Sequence, residues 1–161
     1  ALTEQVYGQQ IDATSTVADM TVMRGALYHG VARAARDWVI TFLQQRKPAS
    51  LGASLATLPR AQEIVGRIEA LLLTNDRLLD SLARDIDAGQ SVPLVESSLI
   101  KSVVTNHAVE AVEAALSLSS NHGISRRNPL ERHLRDVLCG RIHTPQDDSA
   151  LVAAGRRALG V

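Results

Sequence analysis

Rings are scarce in this chain of 161 residues, with Tyr7, Tyr28, Trp38 and Phe42 the whole aromatic complement. A sheet needs β-branched and aromatic faces, so the alanine, leucine, valine and arginine that fill the sequence instead point to closely packed helices. Cysteine is nearly absent. Cys139 stands alone, which excludes an internal disulfide, favours a reducing cytoplasm and reads as a small buried side chain. Net charge is missing too: 17 Lys and Arg balance 17 Asp and Glu, so nothing in the total draws the chain to nucleic acid or to an anionic membrane. No apolar run approaches the ~20 residues of a membrane span, and no signal-peptide segment opens the chain. The five histidines are scattered, with no His-x-x-x-His or Glu-x-x-His pair to hold a metal, and no glycine-rich nucleotide loop occurs. An initiator methionine is lacking as well, and the start at Ala1 reads as that of a piece of a longer protein.

What is present is helical periodicity over a chain that is 45% apolar, enough for one domain with a real core. Met20, Met23, Leu27, Val31, Ala34, Trp38 and Phe42 recur at spacings of three and four, which predicts a first helix over residues 17–47 with these side chains as its apolar face. Gly25, Ala26, Gly30, Ala32 and Ala35 leave much of its surface small, open to close approach by another helix, and Pro48 stops it. A second helix begins around Thr57 and Pro59, carries Ile64, Ile68, Leu71, Leu72, Leu78, Leu79, Leu82 and Ile86, and ends at Ala88 and Gly89. A third carries Ile100, Val104, His107, Ala111, Ala115 and Leu118 and runs out at "SSNHG". Two short helices follow, over residues 129–139 and 145–159. Residues 1–16 show no clear period and are expected to be an irregular lead-in. The prediction is an all-α, up-and-down four-helix bundle over residues 17–161, with the two short helices forming the fourth element.

The densest charge lies in "NPLERHLRDVLCGRIHTPQDD". Asn128 with Pro129 and Glu131 forms a capping-box signature, and Thr144, Pro145 and Asp147 repeat the scheme. Glu131 with Arg135, and Arg132 with Asp136, are four apart and face each other on a helix. Arg126, Arg127, Arg132, Arg135 and Arg141 make the region positive, either as an anion seat beside helix N-termini or as a solvated surface or subunit contact. His107 sits on a buried stripe and reads as a hydrogen-bonded core residue.

Following a bundle helix, "HGISRRNPLERHLRD" and the terminal "AAGRRALG" resemble the C-terminal domain of acyl-CoA dehydrogenases, over residues 17–160. The most specific match is Pro129, Glu131, Arg132, Arg135 and Asp136, against the family's Pro-x-Glu-Arg-x-x-Arg-Asp. The resemblance implies a four-helix bundle preceded by a helical domain and a β-domain, a flavin held between β-domain and bundle, and assembly into dimers or tetramers. It implies further that Arg46 reaches the flavin diphosphate of a neighbouring subunit and that Ser120, Asn121, His122 and Gly123 form the loop against its adenosine part. Pro48 and Ala49 replace the family's threonine and phenylalanine after that arginine, and Gly123 alone keeps a glycine of the loop.

A larger departure follows Asp136. Where many acyl-CoA dehydrogenases carry their proton-abstracting glutamate in Tyr-Glu-Gly-Thr, this chain has His143, Thr144, Pro145 and Gln146. Dehydrogenases that draw the base from the first long helix would leave Asp19 or Asp37 as candidates. A histidine seven residues after the Arg-Asp pair resembles the reduced-flavin monooxygenase branch of the superfamily instead, which makes His143 the candidate catalytic group, with Thr144 beside it at the flavin. His143 also suits a cap at the end of its helix. The functional expectation is therefore a C-terminal domain of an acyl-CoA dehydrogenase-like oxidoreductase, using FAD or FMN on an acyl-CoA or another small organic substrate. The alternatives are a monooxygenase of the same superfamily and a non-catalytic helical oligomerisation module. The chain alone is expected to be inactive and to hold no flavin.

Overall fold

The structure is a computed structural model that describes residues 13–161, with side chains from residue 18 onward. Its helices are α1 (Ala13–Gln45), α2 (Pro59–Asp87), α3 (Leu94–Ser119), α4 (Asn121–Ile124), α5 (Leu130–Ile142) and α6 (Asp147–Leu159), with a 3-10 turn at Leu55–Thr57. No strand occurs among the described residues, and no described helix is long and apolar enough to cross a membrane. The expected all-α bundle is what forms: α1, α2 and α3 pack on one another, α5 lies against α1 and α3, and α6 against α3.

α3 is central because it is buried nearly all round. Val104, Ala108, Val109, Ala111, Val112 and Ala115 are all inaccessible. Its buried hydroxyls avoid a desolvation cost by bonding back to their own helix, as Ser98 does to the Leu94 carbonyl at 2.6 Å and Thr105 to the Lys101 carbonyl at 2.9 Å. α2 ends in a left-handed cap: Gly89 has φ +70°, with Gly89 N–H bonded to the Ile86 carbonyl and Gln90 N–H to the Asp85 carbonyl, both at 2.9 Å.

Several sequence expectations are corrected. α1 already begins at Ala13, so residues 13–16 are helical; residues 1–12 of the expected lead-in lie outside the described residues. Its buried face is only in part the one that hydropathy selects: Val31, Trp38 and Phe42 pack against the core from its edge. Ala18, Thr21, Gly25, Tyr28, Ala32, Ala35, Val39 and Leu43 face the core, while Met20, Met23 and Leu27 are 47%, 70% and 57% exposed. The reason is closeness of approach: a Cβ at Gly25 would stand 3.1 Å from Leu79 and 3.6 Å from Val104, so the small stripe is the one that fits between α2 and α3. Cys139 is exposed, not buried, since the face of α5 turned inward is Leu130, Val137 and Gly140. The capping boxes do not close. Asn128 donates its side-chain amide to the His122 carbonyl (2.9 Å), and Glu131 turns along the helix to Arg135 (3.0 Å). Arg132 and Asp136 stay apart. At α6 the N-cap position is Gln146, not Thr144, and it makes no side-chain cap.

Candidate functional site

The geometry at the end of α5 follows from Gly140. A Cβ there would lie 3.0 Å from the Tyr28 ring and 3.2 Å from Thr105, so glycine lets α5 settle directly on α1 and α3. The next residues leave the helix, and the carbonyls at a helix end have no intrahelical partners. Lys101 of α3 supplies them. Its ammonium, with the side chain wholly buried, donates to the carbonyls of Gly140 (2.7 Å), His143 (2.7 Å) and Pro145 (2.9 Å). Three donors meet three acceptors. Burial pushes the Lys101 pKa below the ordinary lysine value, Asp147 opposes that shift, and Arg24 adds to it.

The surrounding segment is fixed on its other sides. Arg24 Nη1 donates to the Thr144 carbonyl at 2.8 Å, across a Thr144–Pro145 bond that is cis. Asp147 accepts from Asn106 at 2.6 Å and sits 3.9 Å from the Lys101 ammonium, and Asn106 in turn accepts from Arg141 at 3.2 Å. Asp147 is thereby engaged with α3.

Held this way, His143 places Nδ1 2.9 Å from the Tyr28 hydroxyl, with the two rings edge to face at 6.0 Å. Burial, then Cys139, raises the Tyr28 pKa above its ordinary value, with Arg24 opposing, so the hydroxyl keeps its proton at neutral pH. When it donates to Nδ1, the imidazole carries its own proton on Nε2. Nε2 has no partner among the described residues. The His143 side chain borders an open groove lined by Tyr28, Cys139, Ile142, His143 and Thr144, where Nε2 donates its N–H in this tautomer and would accept a proton in the other, whose Nδ1–H donates to the Tyr28 oxygen.

The other residues expected at a cofactor lie elsewhere. Arg46 is exposed just past α1, and its carbonyl accepts the Leu55 N–H at 2.9 Å. Ser120, at φ +50°, leads into Asn121, His122 and Gly123, and the His122 ring lies 5.2 Å from Phe42. Phe42 is fourteen residues beyond Tyr28 on α1, roughly 21 Å at 1.5 Å per residue, so the two groups occupy different ends of the domain. Gly123 is required by its own surroundings, since a Cβ would collide with Ser119 and Leu116. Asp37 is an exposed ion-pair partner of Arg36 at 2.9 Å, and Asp19 has one buried carboxylate oxygen without a hydrogen bond; neither lines the groove. The described residues hold no cluster of metal-ligating side chains.

Sequence reasoning missed Tyr28, Arg24, Asn106 and Lys101. One signal was available for the last: the chain meets nearly all its need for cations with arginine and has two lysines, Lys47 and Lys101, the second inside the apolar run "SSLIKSVV". A compact three-donor ammonium fits a buried ring of carbonyls as a planar guanidinium does not.

Comparison with known proteins places this helical bundle, with its clamped segment at the end of α5, within one family. The family model described as the acyl-CoA dehydrogenase C-terminal domain matches residues 22–147, and the chain belongs to that family. A Bacillus subtilis (strain 168) protein named as an acyl-CoA dehydrogenase is 34% identical over 128 residues, covering 78% of this chain and 34% of that protein. Butyryl-CoA dehydrogenase from Megasphaera elsdenii shares the fold with a TM-score of 0.83 at 20% identity, over 91% of this chain and 38% of that one. Nitroalkane oxidase, solved with spermine as a competitive inhibitor, shares it with a TM-score of 0.81 at 16% identity, over 92% and 35%. The chain spans about a third of the length of the curated relatives it matches.

Proposed function

We propose that this domain forms one wall of the flavin site in a multidomain, acyl-CoA dehydrogenase-like oxidoreductase acting on an acyl-CoA or another small organic substrate, and that it assembles with further copies of itself. The observation that carries the reading is His143, fixed at Nδ1 by Tyr28 and open at Nε2 on a groove whose wall is clamped from α1 and α3. FAD or FMN supplies the redox chemistry when bound. The residues fit such a group in part. Arg46 has an exposed guanidinium with no acceptor among the described residues, suited to the diphosphate of a neighbouring subunit's flavin, and Ser120, Asn121, His122 and Gly123 stand at the same end for the adenosine part of that flavin. His143 and Thr144, at the other end, would face the reacting portion. A cofactor whose floor lies in another domain should not stay with this chain alone, which should purify colourless.

A second reading, oxygenation by reduced flavin, is favoured by one specific feature. Between residues 140 and 148 no carboxylate lines the groove, because Asp147 is bonded to Asn106 and beside Lys101 while Asp148 accepts the Ser149 N–H at 2.7 Å. This supports a reading in which the segment supplies no dehydrogenase base. Anaerobic mixing of the whole flavoprotein with acyl-CoA substrates separates the readings. Bleaching of the flavin absorbance supports dehydrogenation; no bleaching, with oxygen uptake that requires a separate source of reducing equivalents, supports oxygenation.

A further inference from the structure

We propose that Lys101 is a positioning residue for His143: its ammonium, by gathering the carbonyls of Gly140, His143 and Pro145, sets where the imidazole stands relative to Tyr28 and the groove. This rests on the reading that His143 acts at the flavin, though the positioning itself is testable without any flavin.

Four features carry it. The three acceptors belong to the residue that ends the close α5 contact, to His143 itself and to the residue two beyond it, so a single nitrogen fixes the backbone on both sides of the histidine. Lys101 stands on α3, the most buried element, whereas the residue it positions is exposed; the rigidity of the core is thus passed to a surface side chain. The donor count matches the acceptor count, and an ammonium has three N–H groups where a neutral amine has two. Finally, the groups around the ammonium serve the same segment. Asp147 lies 3.9 Å from it and is oriented by Asn106, while Arg24 takes the carbonyl between His143 and Pro145, that of Thr144. Lys101 does not touch the groove and is not a catalytic residue.

A role confined to folding would lower stability everywhere; a positioning role has a local signature. The test compares Lys101→Met, close in length and without charge, and Lys101→Arg, charged but planar, with the parent chain labelled with 15N at histidine. In the parent, His143 is expected as a single tautomer protonated on Nε2, with the amides of residues 141–143 protected from exchange, the last by its bond to the Cys139 carbonyl. Both variants should retain the parent's helical circular dichroism while the His143 ring nitrogens move toward the averaged shifts of a free imidazole. Amide exchange over residues 141–143 should rise at least tenfold, with that of Val109 and Val112 unchanged. Tyr28→Phe should reproduce the ring change without the exchange change, which separates loss of the tautomer partner from loss of the clamp. An unaltered His143 spectrum in both variants overturns the proposal, as does exchange that rises equally throughout the chain or a failure of both variants to fold. In the flavin-loaded whole protein, Lys101→Met should lower kcat about tenfold or more with KM little changed. Normal turnover by His143→Ala would remove the functional reading and leave the spectroscopic result standing.

Discussion

Asn75, wholly buried on α2, assigns the roles of two histidines at once. Its amide nitrogen donates to the Val104 carbonyl at 3.0 Å and lies 3.5 Å from His29 Nδ1, while its oxygen accepts from His107 Nδ1 at 3.0 Å. His29 completes the chain by donating to Asp76 at 2.8 Å. His107 is thus the hydrogen-bonded core residue its place on an apolar stripe suggested, although its partner, 32 positions earlier, could not be read from any local pattern. Asn75→Ala would strand a buried carbonyl and two imidazoles, and thermal or urea unfolding should show a loss of about 2–3 kcal/mol. Tyr28 gives a second test at this scale. Its pKa is raised in the folded state, so the stability it contributes is complete below the ordinary value of 10.0 and is lost as pH rises through the higher folded value. Lys101, with a lowered pKa, acts in the opposite sense over the alkaline range, so the comparison must be with Tyr28→Phe. The parent chain should lose stability relative to that variant as pH climbs past about 10, and a late step in tyrosinate absorbance should be missing from the variant.

At the scale of the element, α1 shows why periodicity located the helix and misjudged the N-terminal half of its face. Two stripes of helical spacing run along it, one of Met20, Met23 and Leu27, the other of Gly25, Tyr28, Ala32, Ala35 and Val39, and a hydropathy pattern favours the larger side chains. Packing favours the smaller, because α3 and α2 lie too near for anything else. Ala32→Leu or Ala35→Leu should therefore cost about 1–3 kcal/mol by overpacking, while Met23→Lys should shift stability by no more than about 0.5 kcal/mol. A reversed order in denaturant midpoints would show that the faces are misassigned. The same lesson holds at α5, where a capping signature was present in letters but its Asn128 amide was claimed by His122. The bundle and its helices were legible because they depend on local spacing. The clamp was not, since Lys101 and Tyr28 reach His143 across 42 and 115 residues.

For the whole molecule, the exposed stripe of α1 and the open groove beside α5 are two apolar surfaces on a domain that makes up about a third of its relatives' length. Self-association is the expected consequence of the first. Light scattering should find the chain larger than a monomer, and Met23→Lys combined with Leu27→Lys should reduce the mass; a monomer at every concentration would count against it. The groove is the centre of the functional reading, and the turnover of His143→Ala in the flavin-loaded whole protein tests it most directly, with Asp147→Asn measured alongside. The expected result is a fall in kcat of about two to four orders of magnitude for His143→Ala with flavin content unchanged, the range for a positioned acid or base, and lowered stability at near-normal rate for Asp147→Asn. Full turnover by His143→Ala beside an inactive Asp147→Asn would contradict it and return the chemistry to a carboxylate.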